Sequence, residues 1–140
     1  MGQSEGFDGL LPLEETLLGT MGIDVVESSS ERCVATMPVT PNRQPYGLLH
    51  GGANAALAET VGSIAAAHHA SRYGRVAVGV ELNCTHHRAV RAGLVRAVAT
   101  PLHAGGSLAT YAVEIEDGQG RLVCTARLSC MLVQPRQEGA

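Results

Sequence analysis

The chain contains no tryptophan, no lysine, one phenylalanine and three tyrosines among 140 residues. Any apolar pocket it forms must therefore be lined mostly by aliphatic side chains. Without lysine, all ten basic residues are arginine, the side chain that grips phosphate in bidentate fashion. A net charge of −3 excludes a general nucleic-acid or anionic-membrane surface. The four cysteines, Cys33, Cys84, Cys124 and Cys130, form no CxxC pair and no metal-ligand spacing with histidine. They read as free, small apolar residues in strands, in keeping with a reducing cytoplasm, and no metal or cofactor is expected. A GxSxG elbow is absent and aspartate occurs only at positions 8, 24 and 117, which disfavours a Ser-His-Asp hydrolase. The glycine pattern of a dinucleotide fold is missing too. The longest apolar stretch, 53–70, is interrupted by Asn54, Glu59, His68 and His69, so no membrane span is expected. The first twenty residues carry Glu5, Asp8, Glu14 and Glu15 and no basic segment, so no secretory leader is expected either.

One domain over 1–140 is expected, with loose ends at 1–9 and 134–140. "LPLEETLLGTMG" has the spacing of a short helix stopped by glycine. "GIDVVES" and "RCVATMPV" alternate apolar and polar residues across "SSSE", which predicts a hairpin. After the turn-rich "TPNRQPYG", the segment from Gly51 to about Arg72 predicts one long Ala-rich helix. Its apolar residues surround the axis, so it should be buried on most sides, by a sheet that curls around it or by another subunit. The segments "VAVGVELNCTHH", "GLVRAVATPLH", "SLATYAVEIED" and "RLVCTARLSCMLV" then predict four long strands in an antiparallel meander. The class is α+β, an antiparallel sheet with one long central helix.

The mouth of that helix carries the chemistry. "QPYGLLHGGANAALAETVGS", residues 44–63, places Gly51 and Gly52 where a Ser, Asp or Thr cap usually stands. Unpaired amides at a helix start carry partial positive charge, and glycines there leave them open to a ligand oxygen. The same glycines also fit a simple tight entry turn. Glu59 is a carboxylate on an Ala-rich face, where desolvation would raise its pKa toward the range of a general base; a paired structural glutamate, or one on a solvent-facing edge, is the competing reading. Ser63 lies one turn further on the same face, and Gln44 and His50 precede the helix as hydrogen-bonding groups. Eight residues, or about 12 Å of helix, separate Gly51 from Glu59. If both serve one carbonyl they come from different chains, with two central helices antiparallel across a twofold axis. His68 and His69 suit the negative end of the helix dipole, and His86 and His87 alternate faces of a strand, so they make no metal site.

The spacing Gln-x5-His-Gly-Gly-x6-Glu in "NRQPYGLLHGGANAALAETVGS", with "VGVELNCTHHR" and "TPLHAGGS", closely resembles the hotdog-fold acyl-CoA thioesterases. Within them the chain is most similar to the branch of Arthrobacter-type 4-hydroxybenzoyl-CoA and 1,4-dihydroxy-2-naphthoyl-CoA thioesterases, and more widely to phenylacetate-pathway thioesterases. The resemblance covers about residues 18–133. It implies a hotdog fold, a curved antiparallel sheet wrapped around the central helix, and hydrolysis of an aryl- or small acyl-CoA to acid and CoA. It implies Glu59 as nucleophile or general base, the Gly51 N–H as carbonyl polariser, Gln44 and His50 as orienting groups, and Ser63 as the residue positioning water. Arg88, Arg91 and Ser107 fall where relatives contact the nucleotide, although Gly106 stands where relatives often have a polar or basic residue. It also implies a homo-oligomer, a tetramer assembled as a dimer of dimers, in agreement with the dimer-shared active site that the helix geometry predicts. The rival readings are a hotdog hydratase or dehydratase and a non-catalytic acyl-CoA-binding module.

Overall fold

The computed structural model describes residues 10–136. The expected loose ends at 1–9 and 137–140 lie outside the described residues, and 134–136 follow the last strand without regular structure. The "LPLEETLLGTMG" segment forms a 3-10 turn, Leu13–Glu15, and a short helix α1, Leu17–Met21, closed by Gly22 in the left-handed conformation. The hairpin follows as β1 (Asp24–Ser28) and β2 (Cys33–Pro38), then the long helix α2 (Gly51–Ser71). Four strands complete the chain: β3 (Val76–His86), β4 (Leu94–Ala104), β5 (Leu108–Glu116) and β6 (Leu122–Val133).

The six strands form one antiparallel sheet in the order β1-β2-β4-β5-β6-β3. The expected four-strand meander is therefore corrected: β4, β5 and β6 are joined as hairpins, but β3 lies at the far edge against β6. Two features account for this. The outer side of β4 is taken by β2, in register from Cys33↔Ala99 to Pro38↔Leu94. The link 87–93 is also too long for a tight hairpin. Instead it crosses the mouth of α2, held where Leu49 N–H donates to Val90 O at 2.7 Å and His87 N–H to Val123 O at 2.7 Å.

Helix α2 packs across the sheet through a stripe of Ala53, Asn54, Leu57, Ala58, Val61, Gly62, Ala65, Ala66, His69 and Ala70. Small residues let it approach closely: a Cβ on Gly62 would come within 2.7 Å of Leu128 Cδ2 on β6. The burial expected on most sides is only partly supplied within the single chain. Its own sheet covers one stripe, while Ala55, Ala56, Ser63, Ile64 and Ala67 are half-buried and Glu59 is exposed. The core cluster combines aliphatic side chains with Met37, Cys33, Cys124 and Cys130 around Tyr111, the largest fully buried side chain. The Tyr111 hydroxyl donates to Ser30 O at 2.7 Å, with Ala65 O at 3.3 Å, so it ties the hairpin to the rear half of α2. Burial pushes its pKa up to about 12, with the Glu31 charge adding to the rise.

All four cysteines are free. Burial pushes the Cys33 and Cys124 thiols up to about 12, reinforced by Glu27 at Cys33 and by Cys84 at Cys124. None of the described helices is long and apolar enough to cross a membrane.

Candidate active site

Helix α2 begins at Gly51, and its cap is the residue before it. His50 has extended backbone angles, and its Nδ1 accepts the Gly52 N–H at 2.8 Å. The neutral imidazole therefore carries its hydrogen on Nε2. Histidine is not among the favoured cap residues, so the sequence points to the glycines rather than to His50. The carbonyl of His50 accepts from Ala53 N–H at 2.9 Å and, more loosely, from Asn54 N–H at 3.3 Å. Of the first four amides of the helix, only that of Gly51 lacks a protein acceptor among the described residues. The candidate oxyanion donor is thus singled out by elimination.

That amide opens onto a cleft of about 350 Å³ lined by Gln44, Leu48, Leu49, Gly51, Asn54, His86 and the start of the 87–93 link, including Arg88. Gln44 is fixed by its own loop: its backbone N–H donates to Leu48 O at 2.7 Å and its carbonyl accepts from Gly47 N–H at 2.9 Å. Its side-chain Oε1 accepts the Tyr46 N–H, which leaves the amide NH₂ as its donor group. Three sequence-predicted residues, Gln44, Gly51 and Arg88, therefore share one cleft. Arg91 is exposed on the same link.

Glu59 and Ser63 are not in that cleft. They lie further along α2 facing β3 and β6: Glu59 Oε2 is 3.5 Å from where a Cβ on Gly79 would stand. Burial raises the Cys130 thiol pKa; the Ser63 hydroxyl, hydrogen-bonding to it, lowers it, and the Glu59 charge raises it. The expected burial of Glu59 is not supplied by its own chain, where the residue is exposed. Ser107 is further still. Its carbonyl accepts from Leu132 N–H at 2.9 Å, whereas Arg88 N–H reaches Val123 O at 3.3 Å. Those two β6 positions are about 30 Å apart along the strand, so Arg88 and Ser107 sit at opposite ends of the sheet.

Asn54 and His86 belong to the cleft although motif reasoning passed over them. The Asn54 Nδ2 lies 3.3 Å from His86 Nδ1. An asparagine within an otherwise apolar buried stripe was the available signal. Its partner, 32 residues away, was not readable from spacing. The neighbouring His87 also lines the cleft, with its Nε2 2.9 Å from Thr125 Oγ1. At the other end of α2, His69 is buried and donates from Nε2 to Gly105 O at 2.7 Å, and packs edge-on against Tyr73. Its role there is structural.

The family model of the Thioesterase superfamily matches residues 46–124, which spans the helix mouth, α2 and most of the sheet. The proofreading thioesterase EntH of Cronobacter turicensis is 49% identical over 115 residues, covering 81% of this chain and 83% of that protein. A solved thioesterase of Haemophilus influenzae superposes with a TM-score of 0.84 at 32% identity, over 91% of this chain and 90% of its own. A Staphylococcus aureus thioesterase, TM-score 0.80 at 30% identity over 85% of this chain and 98% of its own, has been solved as a glutamine-to-alanine variant. The same protein has also been solved as a glutamate-to-alanine variant. Its two altered positions are fifteen residues apart, the spacing that separates Gln44 from Glu59 here. The chain belongs to the Thioesterase superfamily, and its long helix packed on a six-stranded antiparallel sheet is the hotdog fold.

Proposed function

We propose that this thioester hydrolase acts on an aryl- or small acyl-CoA, in an active site built from two chains. The observation that carries the reading is the Gly51 N–H at the head of α2, without an acceptor among the described residues and facing a cleft with Gln44 and Arg88. A carbonyl oxygen seated there gains charge as the thioester is attacked, and the helix terminus favours that charge. Gln44 donates from its amide to the same region. His50 holds the Gly52 amide away from competition and can donate outward from Nε2. The acyl group fits an aliphatic wall, and the aryl preference, with the hydroxybenzoyl and dihydroxynaphthoyl branch, follows from the motif resemblance.

The carboxylate comes from a partner. Glu59 is about 12 Å along the helix from Gly51, beyond the reach of one side chain. An antiparallel pair of α2 helices brings each Glu59 to the other chain's helix mouth, as attacking nucleophile or as base for a water held by Ser63. The same twofold places Ser107 of one chain beside Arg88 and Arg91 of the other, where together they hold the CoA nucleotide. Strand β3 supports this assembly: it is an eleven-residue edge strand with no buried residue, and Val76, Val78 and Val80 are 43–57% exposed. A long, apolar, unpaired edge calls for a partner strand. The wider assembly is proposed as a tetramer of two such dimers, in the cytoplasm.

Thiol release from a panel of acyl-CoAs tests this. Glu59→Ala is expected to lose at least about a hundredfold in kcat with little change in folding. Mixed Gln44→Ala and Glu59→Ala protomers should regain up to about a quarter of wild-type activity, because about half the dimers are heterodimers and each of these keeps one intact site of its two. Equal activity in Glu59→Ala and wild type, or no rescue after demonstrated subunit exchange, overturns the reading.

A further inference from the structure

Asn54 sits at the fourth position of α2 and is 3% exposed, on a stripe otherwise built from Ala, Leu, Val and Gly with only His69 as a second polar residue. Its Oδ1 is buried with no hydrogen-bond partner among the described residues, a net cost to folding that calls for an explanation. Its Nδ2 faces His86 Nδ1 at 3.3 Å. An amide nitrogen only donates, so Nδ1 must accept, and a neutral imidazole held this way carries its hydrogen on Nε2. His86 Nε2 lies 3.1 Å from where a Cβ on Gly51 would stand. A side chain at position 51 would crowd the ring edge, and glycine gives it room against the helix start. Both His86 and the unpaired Gly51 amide face the same cleft, and Nε2 has no protein partner among the described residues.

We propose that Asn54 is a positioning residue that fixes His86 as its Nε2–H tautomer, making that N–H a second donor, beside Gly51, to the thioester carbonyl oxygen. The donor step rests on the hydrolase reading above, whereas the control of the tautomer does not. An oxyanion needs convergent donors whose orientation is set before reaction. A free histidine at a strand end would spend part of its time with a bare Nε2 lone pair aimed at the oxygen, which would repel it. Asn54 removes that alternative from the Nδ1 side of the ring.

The test joins spectroscopy and kinetics. In ¹⁵N-histidine-labelled protein, with the His86 signals assigned by their loss in His86→Ala, long-range ¹H–¹⁵N correlation at alkaline pH should show the Nε2–H tautomer. Asn54→Asp keeps the shape but offers only acceptors, so the ring should switch to Nδ1–H. Asn54→Ala should give a mixture and, should the aspartate variant fail to fold, stands in for it. With an acyl-CoA turned over by wild type, kcat should fall about tenfold in Asn54→Ala and about a hundredfold in His86→Ala, the scale of one oxyanion donor. KM should stay within about twofold in both, as expected for an interaction made in the transition state. In a His86→Ala background, Asn54→Ala should lower kcat no further, because the two act through one hydrogen bond. An Nδ1–H tautomer in active wild type overturns the assignment of Asn54. An equal loss from Asn54→Ala with and without His86 overturns it too, since a purely structural role would act in both backgrounds. A wild type with the Nε2–H tautomer that cleaves no thioester instead removes the donor step together with the hydrolase reading.

Discussion

Replacing His50 by alanine removes the acceptor that holds the Gly52 N–H at 2.8 Å without touching the core, because His50 is exposed. Loss of a helix cap costs about 0.5–2 kcal/mol, and an exposed one belongs near the middle, about 1 kcal/mol. Unfolding entropy of about 2 cal/mol/K per residue converts this into a melting point lowered by about 3 °C for a chain of this length. His50→Asn supplies an equivalent cap and should restore most of the difference. His50→Asp caps as well and gains from the helix dipole, but it sets a negative charge next to the amide that must stabilise an oxyanion. At about 5 Å and an effective dielectric of about 20, that repulsion is about 3 kcal/mol, or a kcat about a hundredfold lower. Thermal melts followed by circular dichroism and thiol-release kinetics on the same three variants separate the effects. The expected pattern is alanine least stable, asparagine stable, and aspartate stable but slow. An alanine variant that melts with wild type refutes the cap. An aspartate variant as fast as the asparagine one refutes the placement of the oxyanion at Gly51.

Tyr111→Phe should cost about 1–2 kcal/mol, because Ser30 O and Ala65 O lose the buried hydroxyl that reaches them; a denaturant midpoint equal to wild type would contradict this. Stability should fall as pH rises beyond about 8.5. Cys33 and Cys124 ionise from about 9 in the unfolded chain but only at about 12 when folded, and Tyr111 from about 10 and about 12. Raised folded-state values mean that the folded chain keeps protons which the unfolded chain releases, so the loss spans about pH 9–12. The Cys33→Ala/Cys124→Ala double variant should show a shallower decline, measured as melting temperature against pH. An unchanged slope would count against the thiols as its source.

Elements whose cues are local could be read from sequence. The helix expected from Gly51 to about Arg72 is found at Gly51–Ser71, because nothing but Gly62 interrupts it and the turn chemistry on both sides is strong. The β1–β2 hairpin and the β4-β5-β6 succession follow from alternation and short Gly-bearing turns. The position of β3 was hidden because strand pairing is decided by competition for an edge, and β2 occupies the edge of β4. Motif spacing singled out Gln44 and Gly51 and the family resemblance Arg88, and the three share a cleft. The cap at His50 and the Asn54–His86 pair were not found, since each depends on which ring nitrogen faces which group. Glu59 was expected on a buried face, a property that one chain's sequence pattern assigns without saying which chain does the burying.

The cleft has walls sewn together by main-chain bonds. Leu49 is fastened to Val90, His87 to Val123, Gln44 to Leu48, and His50 N–H to Asn42 O at 2.8 Å. A mouth stitched in this way has little room to flex, so a thioester entering it meets donors already aimed and loses little freedom in the host. Selectivity for the acyl group then has to reside in which side chains protrude, and single substitutions at Leu48, Leu49 or Ala89 would retune it where a lengthened loop would not.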